Sequence, residues 1–311
     1  MLRFSIALFF MALFLPLSAA QADWRQGMKL PASLAYAEAA VIDGEIYVLR
    51  NNRHAGKDKF FEAYDIRGDG WRPLLPLPVD RHDFAMAVSL DQLFVTGGIN
   101  PETDAMSNGM WMYSARKAQW YQFPPMPGKR AHHRSVIIDP YLYIIGGQGD
   151  DMDKIYRYHL TRSVWESLPL TINLPTKAFA AVADGEDIII AGGRDDNNTM
   201  TDKVWSYDTQ DKDWQQLARL PRPMSGGGLV QQADGLHLLG GYSQTPEKTW
   251  GTHYLLANNR RDWVALEPLP APRHHAAVVG FENRIFMLGG AVGVGFYAFF
   301  TATDNVFIYQ P

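Results

Sequence analysis

A chain of 311 residues is long enough for a large apolar core, and the absence of cysteine removes disulfides and thiolate metal sites, so packing alone must hold the fold. With 33 acidic and 29 basic residues the net charge is −4, and the two signs are interspersed, which argues against general nucleic-acid binding.

The first element reads as a leader. Arg3 gives a short basic start, residues 4–17 are apolar except for Ser5, and Ala20-Gln21-Ala22 supplies a small-x-small cleavage site before Asp23. The apolar run is short for a transmembrane span, which favours a cleaved signal peptide (residues 1–22) over a signal anchor. Residues 23–311 are then expected as one domain, periplasmic or secreted. No later segment is long and apolar enough to span a membrane, and no cysteine at the cleavage site can carry a lipid.

A short strand from Trp24 to Pro31 follows, with Trp and Pro seven residues apart. The same spacing returns at Trp71/Pro78, Trp120/Pro127, Trp214/Pro221 and Trp263/Pro270. Glycine doublets close apolar runs at Gly97-Gly98, Gly146-Gly147, Gly192-Gly193, Gly240-Gly241 and Gly289-Gly290, at intervals of 46 to 49 residues. An earlier copy, Glu45 to Arg50, carries Leu49-Arg50 in the doublet's place. A Tyr and a Trp seven residues apart follow at Tyr64/Trp71, Tyr113/Trp120, Tyr158/Trp165 and Tyr207/Trp214; the fifth copy has Tyr254 and Trp263, two residues wider.

Each period reads as four short strands, a to d: a after the Pro, b ending in the doublet, c carrying the Tyr and d carrying the Trp. Turns such as Asp43-Gly44, Asp184-Gly185 and Asp234-Gly235 separate them. Four strands in nearly fifty residues is the pattern of a propeller blade. The last unit stops at Pro311 without a strand d, and the Trp24 strand is an orphan strand d. The N-terminal strand is therefore expected to complete the blade begun at Arg273, closing the ring and removing exposed sheet edges.

Doublet, Tyr and Trp recurring together in register resemble the kelch family over essentially the whole of residues 23–311. The resemblance implies an all-β, six-bladed kelch-type β-propeller. The repeated Tyr and Trp, including Trp71, Trp120, Trp165, Trp214 and Trp263, are then blade packing, and function is sought in residues that break the repeat. Sixteen residues before each doublet stand Ser33, Arg81, Arg130, Thr176, Met224 and Arg273. Fourteen before stand Ala35, Asp83, His132, Ala178, Gly226 and His275. Twelve before stand Ala37, Ala85, Arg134, Ala180, Gly228 and Ala277, small in all but one, and eleven before, Glu38 is the one charge.

In the kelch family the lead-in to strand a and the loop after the doublet form one mouth. The resemblance places Arg81, Asp83, Arg130, His132, Arg273 and His275 there, with Asn51, Arg53, His54, Asn100, Gln148, Arg194, Asp195 and Tyr242. The candidate ligand-binding set is Arg81, Asp83, Arg130, His132, Arg134, Arg194, Arg273 and His275, suited to an anion such as a carboxylate. Arg81, Arg130 and Arg273 have an equally good structural reading as ties between blades. A charge inside a strand of Ala and Gly is costly unless paired or wet, so Arg134 and Glu38 either pair across the channel or serve a ligand. His82, His133 and His274 are expected between blades. The uncharged loop Ala291 to Thr303, with Phe296, Tyr297, Phe299 and Phe300, is either a flap folded on the ring or an aromatic lip.

Two function classes follow. The first is an exported binding module holding a protein or an acidic carbohydrate at its mouth. The second is an enzyme, similar in class to the exported bacterial kelch mutarotases of N-acetylneuraminate, with Glu38, His132, Arg134 and His275 as catalytic candidates for acid–base work. The chain lacks the cysteine of the galactose oxidase cofactor and the S-x-D-x-G-x-T-W boxes of sialidases. No metal-ligand spacing, phosphate loop or nucleophile elbow is present, so no metal or cofactor is expected.

Overall fold

Runs of three to six residues broken by Gly, Asp and Pro favour short antiparallel strands over longer elements. The computed structural model describes residues 23–50, 59–294 and 300–311, and there the repeat becomes six four-stranded antiparallel sheets. Their innermost strands are Glu38–Ile42, Ala85–Ser89, Arg134–Ile138, Ala180–Asp184, Gly228–Gln232 and Ala277–Phe281. Each touches the next, and Ala277–Phe281 returns to Glu38–Ile42, so six blades surround a central channel. Two small two-stranded ladders, Arg130–Ala131 with Gln148–Gly149 and the hairpin Tyr242–Gln244 with Glu247–Thr249, sit outside the blades.

The ring closes as the orphan strand predicts. Asp23–Gln26 pairs antiparallel with Val306–Gln310, with Trp24 opposite Tyr309. The strand ends at Gln26; beyond it the amides of Gly27, Leu30 and Leu34 donate to the carbonyls of Val306, Asp304 and Thr303 at 2.8–3.1 Å. Residues 1–22, expected from the sequence to be a signal peptide, lie outside the described residues.

Packing lies between blades. Six apolar clusters fill the six gaps, such as Ile46 and Val48 of the first blade against Phe286 and Leu288 of the sixth. The strand d indoles add a polar tie. Trp24, Trp120, Trp165 and Trp263 donate Nε1–H to the carbonyls of Glu267, Leu75, Pro124 and Ala218, each in the preceding blade. Trp71 and Trp214 pack against Tyr64 and Tyr207 at 5.0 and 4.8 Å without such a bond. The doublet glycines serve the same gaps. Gly97 has φ +63°, and a Cβ there would meet the Arg130 carbonyl of the next blade at 2.3 Å.

Two alignments change. In the fifth blade Leu256, not Tyr254, stands opposite Trp263, so the seven-residue spacing is kept with Leu in place of Tyr. In the first blade Glu38 pairs with Leu49 as Arg134 pairs with Ile145 and Ala85 with Thr96. The doublet's place is therefore Arg50-Asn51, one residue later than the sequence suggests. A blade without glycines gave the alignment nothing to anchor on. The shift moves Glu38 to the position of Arg134, and Tyr36 to the position of His132 and His275.

Candidate functional site

The lead-in to each inner strand passes through one residue in the left-handed region: Tyr36, Asp83, His132, Ala178, Gly226 and His275, at φ 49–67°. Only glycine takes this conformation without cost. Backbone bonds from blade to blade offset it: the amides of His132, Gly226, His275 and Tyr36 donate to the carbonyls of Asp83, Ala178, Gly226 and His275 at 2.7–2.9 Å. All six residues line a cavity of about 220 Å³ at the channel, with Glu38, His133, Arg134, Lys177 and Arg194.

Glu38 and Arg134 face each other across this cavity. They occupy the same position in the first and third blades, where other blades place Ala85, Ala180, Gly228 and Ala277. Arg134 Nη1 donates to Glu38 Oε1 at 2.8 Å and Nε to the Phe179 carbonyl at 2.9 Å. Burial pushes the Glu38 carboxyl above its usual range, Arg134 pulls it back by charge and hydrogen bond, and the nearby Asp83 carboxylate adds to the rise. The ion pair across the channel, one of the two sequence readings for this pair, is formed.

Asp83 accepts from His82 Nδ1 at 2.7 Å and lies 3.4 Å from His132 Nδ1. His133 is fully buried, bonds Thr96 Oγ1 at 2.8 Å, and burial drops its pKa to about 3. His275 stacks on Tyr36 at 4.1 Å, with Tyr242 behind it at 5.8 Å. Burial, His274, Arg194 and Arg134 hold it well below the usual histidine range, so it is neutral near pH 7.

Arg194 and Lys177 face each other across a backbone bridge in the fourth blade, and both line the cavity. Neither side chain has a hydrogen-bond or carboxylate partner among the described residues, and Arg194 Nε is buried without one.

Three of the expected mouth arginines are elsewhere. Arg130 is fully buried, donating to the carbonyls of Gly146, Asp151 and Lys154, with Tyr156 4.7 Å from its guanidinium carbon. Arg273 is its counterpart in the sixth blade, fully buried, bonded to the Gly289 carbonyl and lying over Phe307; burial lowers its pKa to about 10. At that position the first and fifth blades carry buried Leu34 and Met224. It is an inter-blade site that an arginine stem fills and carbonyls satisfy, so the structural reading of these two holds and the ligand-binding one does not. Arg81 turns to the Asp80 carbonyl and Ser107, off the cavity wall. Asn51, Arg53, His54, Phe296, Tyr297 and Phe299 lie outside the described residues. Sequence reasoning missed Tyr36 and Lys177; the corrected first-blade register points to Tyr36, whereas no repeat signal marked Lys177. Among the described residues no group of three His, Asp or Glu side chains converges as metal ligands.

Residues 82–290 match the family described as the KLHDC2/KLHL20/DRC7 Kelch-repeats domain. The chain belongs to the kelch-repeat proteins. Its kelch relatives include Kelch-like protein terF of Aspergillus terreus, 26% identical over 67% of this chain and 49% of that protein. Kelch-like protein 41b of Danio rerio is 25% identical over 65% of this chain and 34% of that protein. The chain thus spans about half or less of these curated relatives. The solved structure of YjhT superposes with a TM-score of 0.76 over 90% of this chain and 95% of that one, at 16% identity, a likeness of fold.

Proposed function

We propose that this kelch propeller is an exported binding module that captures an anionic group, carried by a protein segment or a glycan, in the cavity at its channel mouth. One observation carries the reading: Arg194 and Lys177 line the cavity without a carboxylate partner among the described residues, whereas Glu38 neutralises Arg134. A half-buried guanidinium that no carboxylate engages is a strong site for a carboxylate ligand. Export to the periplasm or beyond rests on the leader-like residues 1–22. A thermal-shift panel of sugar acids and carboxylate-terminated peptides tests the reading, because a ligand that binds only the native state raises the melting temperature. At least one anion should stabilise the wild type and lose that effect in Arg194→Ala, whose own melting stays within ~1 °C. Failure of the whole panel refutes the proposal.

A second reading, isomerisation of an N-acetylneuraminate-like sugar acid, is favoured by the pairing of a carboxyl with raised pKa, Glu38, and a neutral imidazole, His275, on one cavity. Anomer exchange needs one group that gives a proton and one that takes it. Faster anomer exchange by NMR, lost in Glu38→Gln, supports it; an unchanged rate removes it.

A further inference from the structure

Two neighbouring histidines lead into the sixth inner strand, and their bonding permits one arrangement of protons. His274 Nε2 lies 2.7 Å from the Gly293 carbonyl oxygen, which can only accept, so Nε2 carries a hydrogen. Gly293 is itself fixed, its amide donating to Thr301 Oγ1 at 2.7 Å. His274 Nδ1 lies 2.6 Å from His275 Nδ1, so one of the two must donate. Both rings are buried enough to stay neutral, and a neutral imidazole carries one hydrogen. That of His274 is already on Nε2. His275 therefore donates from Nδ1, and its Nε2 is left as a lone pair.

The ring cannot easily turn away. Tyr36 stacks on one side at 4.1 Å, and a Cβ on Gly226 would come within 2.7 Å of it on another. Around it stand His274, Arg194, Arg134 and Asp83. Arg194 and Lys177 can only donate, so the lone pair of His275 supplies the opposite chemistry next to an anion site.

We propose that His275 Nε2 is a fixed hydrogen-bond acceptor of the cavity, set by a relay through His274 to the Gly293 carbonyl, and that the ligand is an acid carrying a hydrogen-bond donor beside its carboxylate. The carboxylate goes to Arg194 and Lys177 and the donor, a hydroxyl or an amide N–H, to His275. This rests on the anion-binding reading and narrows it; His274 is a positioning residue.

Nitrogen-15 NMR of histidine-labelled protein at neutral pH reads the tautomers without any ligand. The expected result is a hydrogen on Nε2 of His274 and on Nδ1 of His275; a hydrogen on Nε2 of His275 overturns the proposal. Two pairs of acids then test the donor: gluconate against hexanoate for a hydroxyl, and N-acetylglycine against levulinate, which replaces N–H by CH₂, for an amide. The donor acid of at least one pair should bind about tenfold or more tightly than its partner, because a ligand without a donor strips water from the Nε2 acceptor and leaves it unpaired, and the pair that discriminates identifies the donor. Equal binding within both pairs, with Arg194→Ala losing all, overturns the inference but leaves the anion site standing. No binding by any acid overturns the ligand class along with the site. His274→Phe should return His275 to the Nε2–H tautomer and erase the discrimination, whereas His274→Gln, which keeps an acceptor and a donor, should restore it. Unchanged discrimination in a folded His274→Phe also overturns the relay.

Discussion

Arg134→Ala would remove the counter-charge of the Glu38 carboxylate, which Arg134 engages at 2.8 Å. Breaking a dry buried pair costs about 3–5 kcal/mol. Here 28% of the Arg134 side chain and 21% of the Glu38 side chain remain open to the channel, so water recovers part of the loss. We expect a cost of about 2 kcal/mol, which for a domain of this size lowers the melting temperature by about 3 °C. The pH dependence has a definite sign. The Glu38 carboxyl is raised above 4.5 in the fold, so the folded state holds its proton more tightly than the unfolded state. Its contribution is full below pH 4.5 and is lost as pH rises through the folded value. Arg134 limits that loss by lowering the folded pKa. The deficit of the variant should therefore be small near pH 4 and largest above the folded pKa of Glu38. Glu38→Ala with Arg134→Ala should recover more than half of it, because both positions then carry the alanine of Ala85, Ala180 and Ala277. Urea melts at pH 4.5 and 7.5 measure all four states of the cycle. A double variant as unstable as Arg134→Ala, or a deficit that grows on acidification, refutes the reasoning.

Trp120→Ala should cost about 3–5 kcal/mol, since it opens a cavity between the first and second blades and orphans the Leu75 carbonyl; a melt within 1 kcal/mol of wild type contradicts a structural role. Deleting residues 23–31 should leave Val306–Gln310 as an open edge and cause aggregation visible by light scattering, whereas a soluble, cooperatively melting product refutes the closure argument. Gly226→Ala combines a strained φ of +67° with a contact on the His275 ring, and should cost about 1–2 kcal/mol and weaken anion binding. Calorimetric titration with the anion found in the thermal-shift panel checks this, and unchanged affinity separates His275 from the site.

The blade count, the six-fold ring and its closure by Trp24 were legible in the sequence because they rest on repetition: a residue that packs each blade the same way must recur at each period. The same logic exposed Arg134 and Glu38 as breaks in a line of small residues. It failed where a copy lost its markers. The first blade has no glycine doublet, so its alignment slipped by one residue and hid both Tyr36 and the equivalence of Glu38 with Arg134. It failed again where one residue type serves two ends. Arg130, Arg273 and Arg194 are alike as letters, but the first two spend their guanidinium on carbonyls in an inter-blade gap, and Arg194 meets none among the described residues. Local pattern determines which strands form and in what order. Which charge meets which across the channel depends on residues some hundred positions apart, as with Glu38 and Arg134, and only the closed ring brings them within reach.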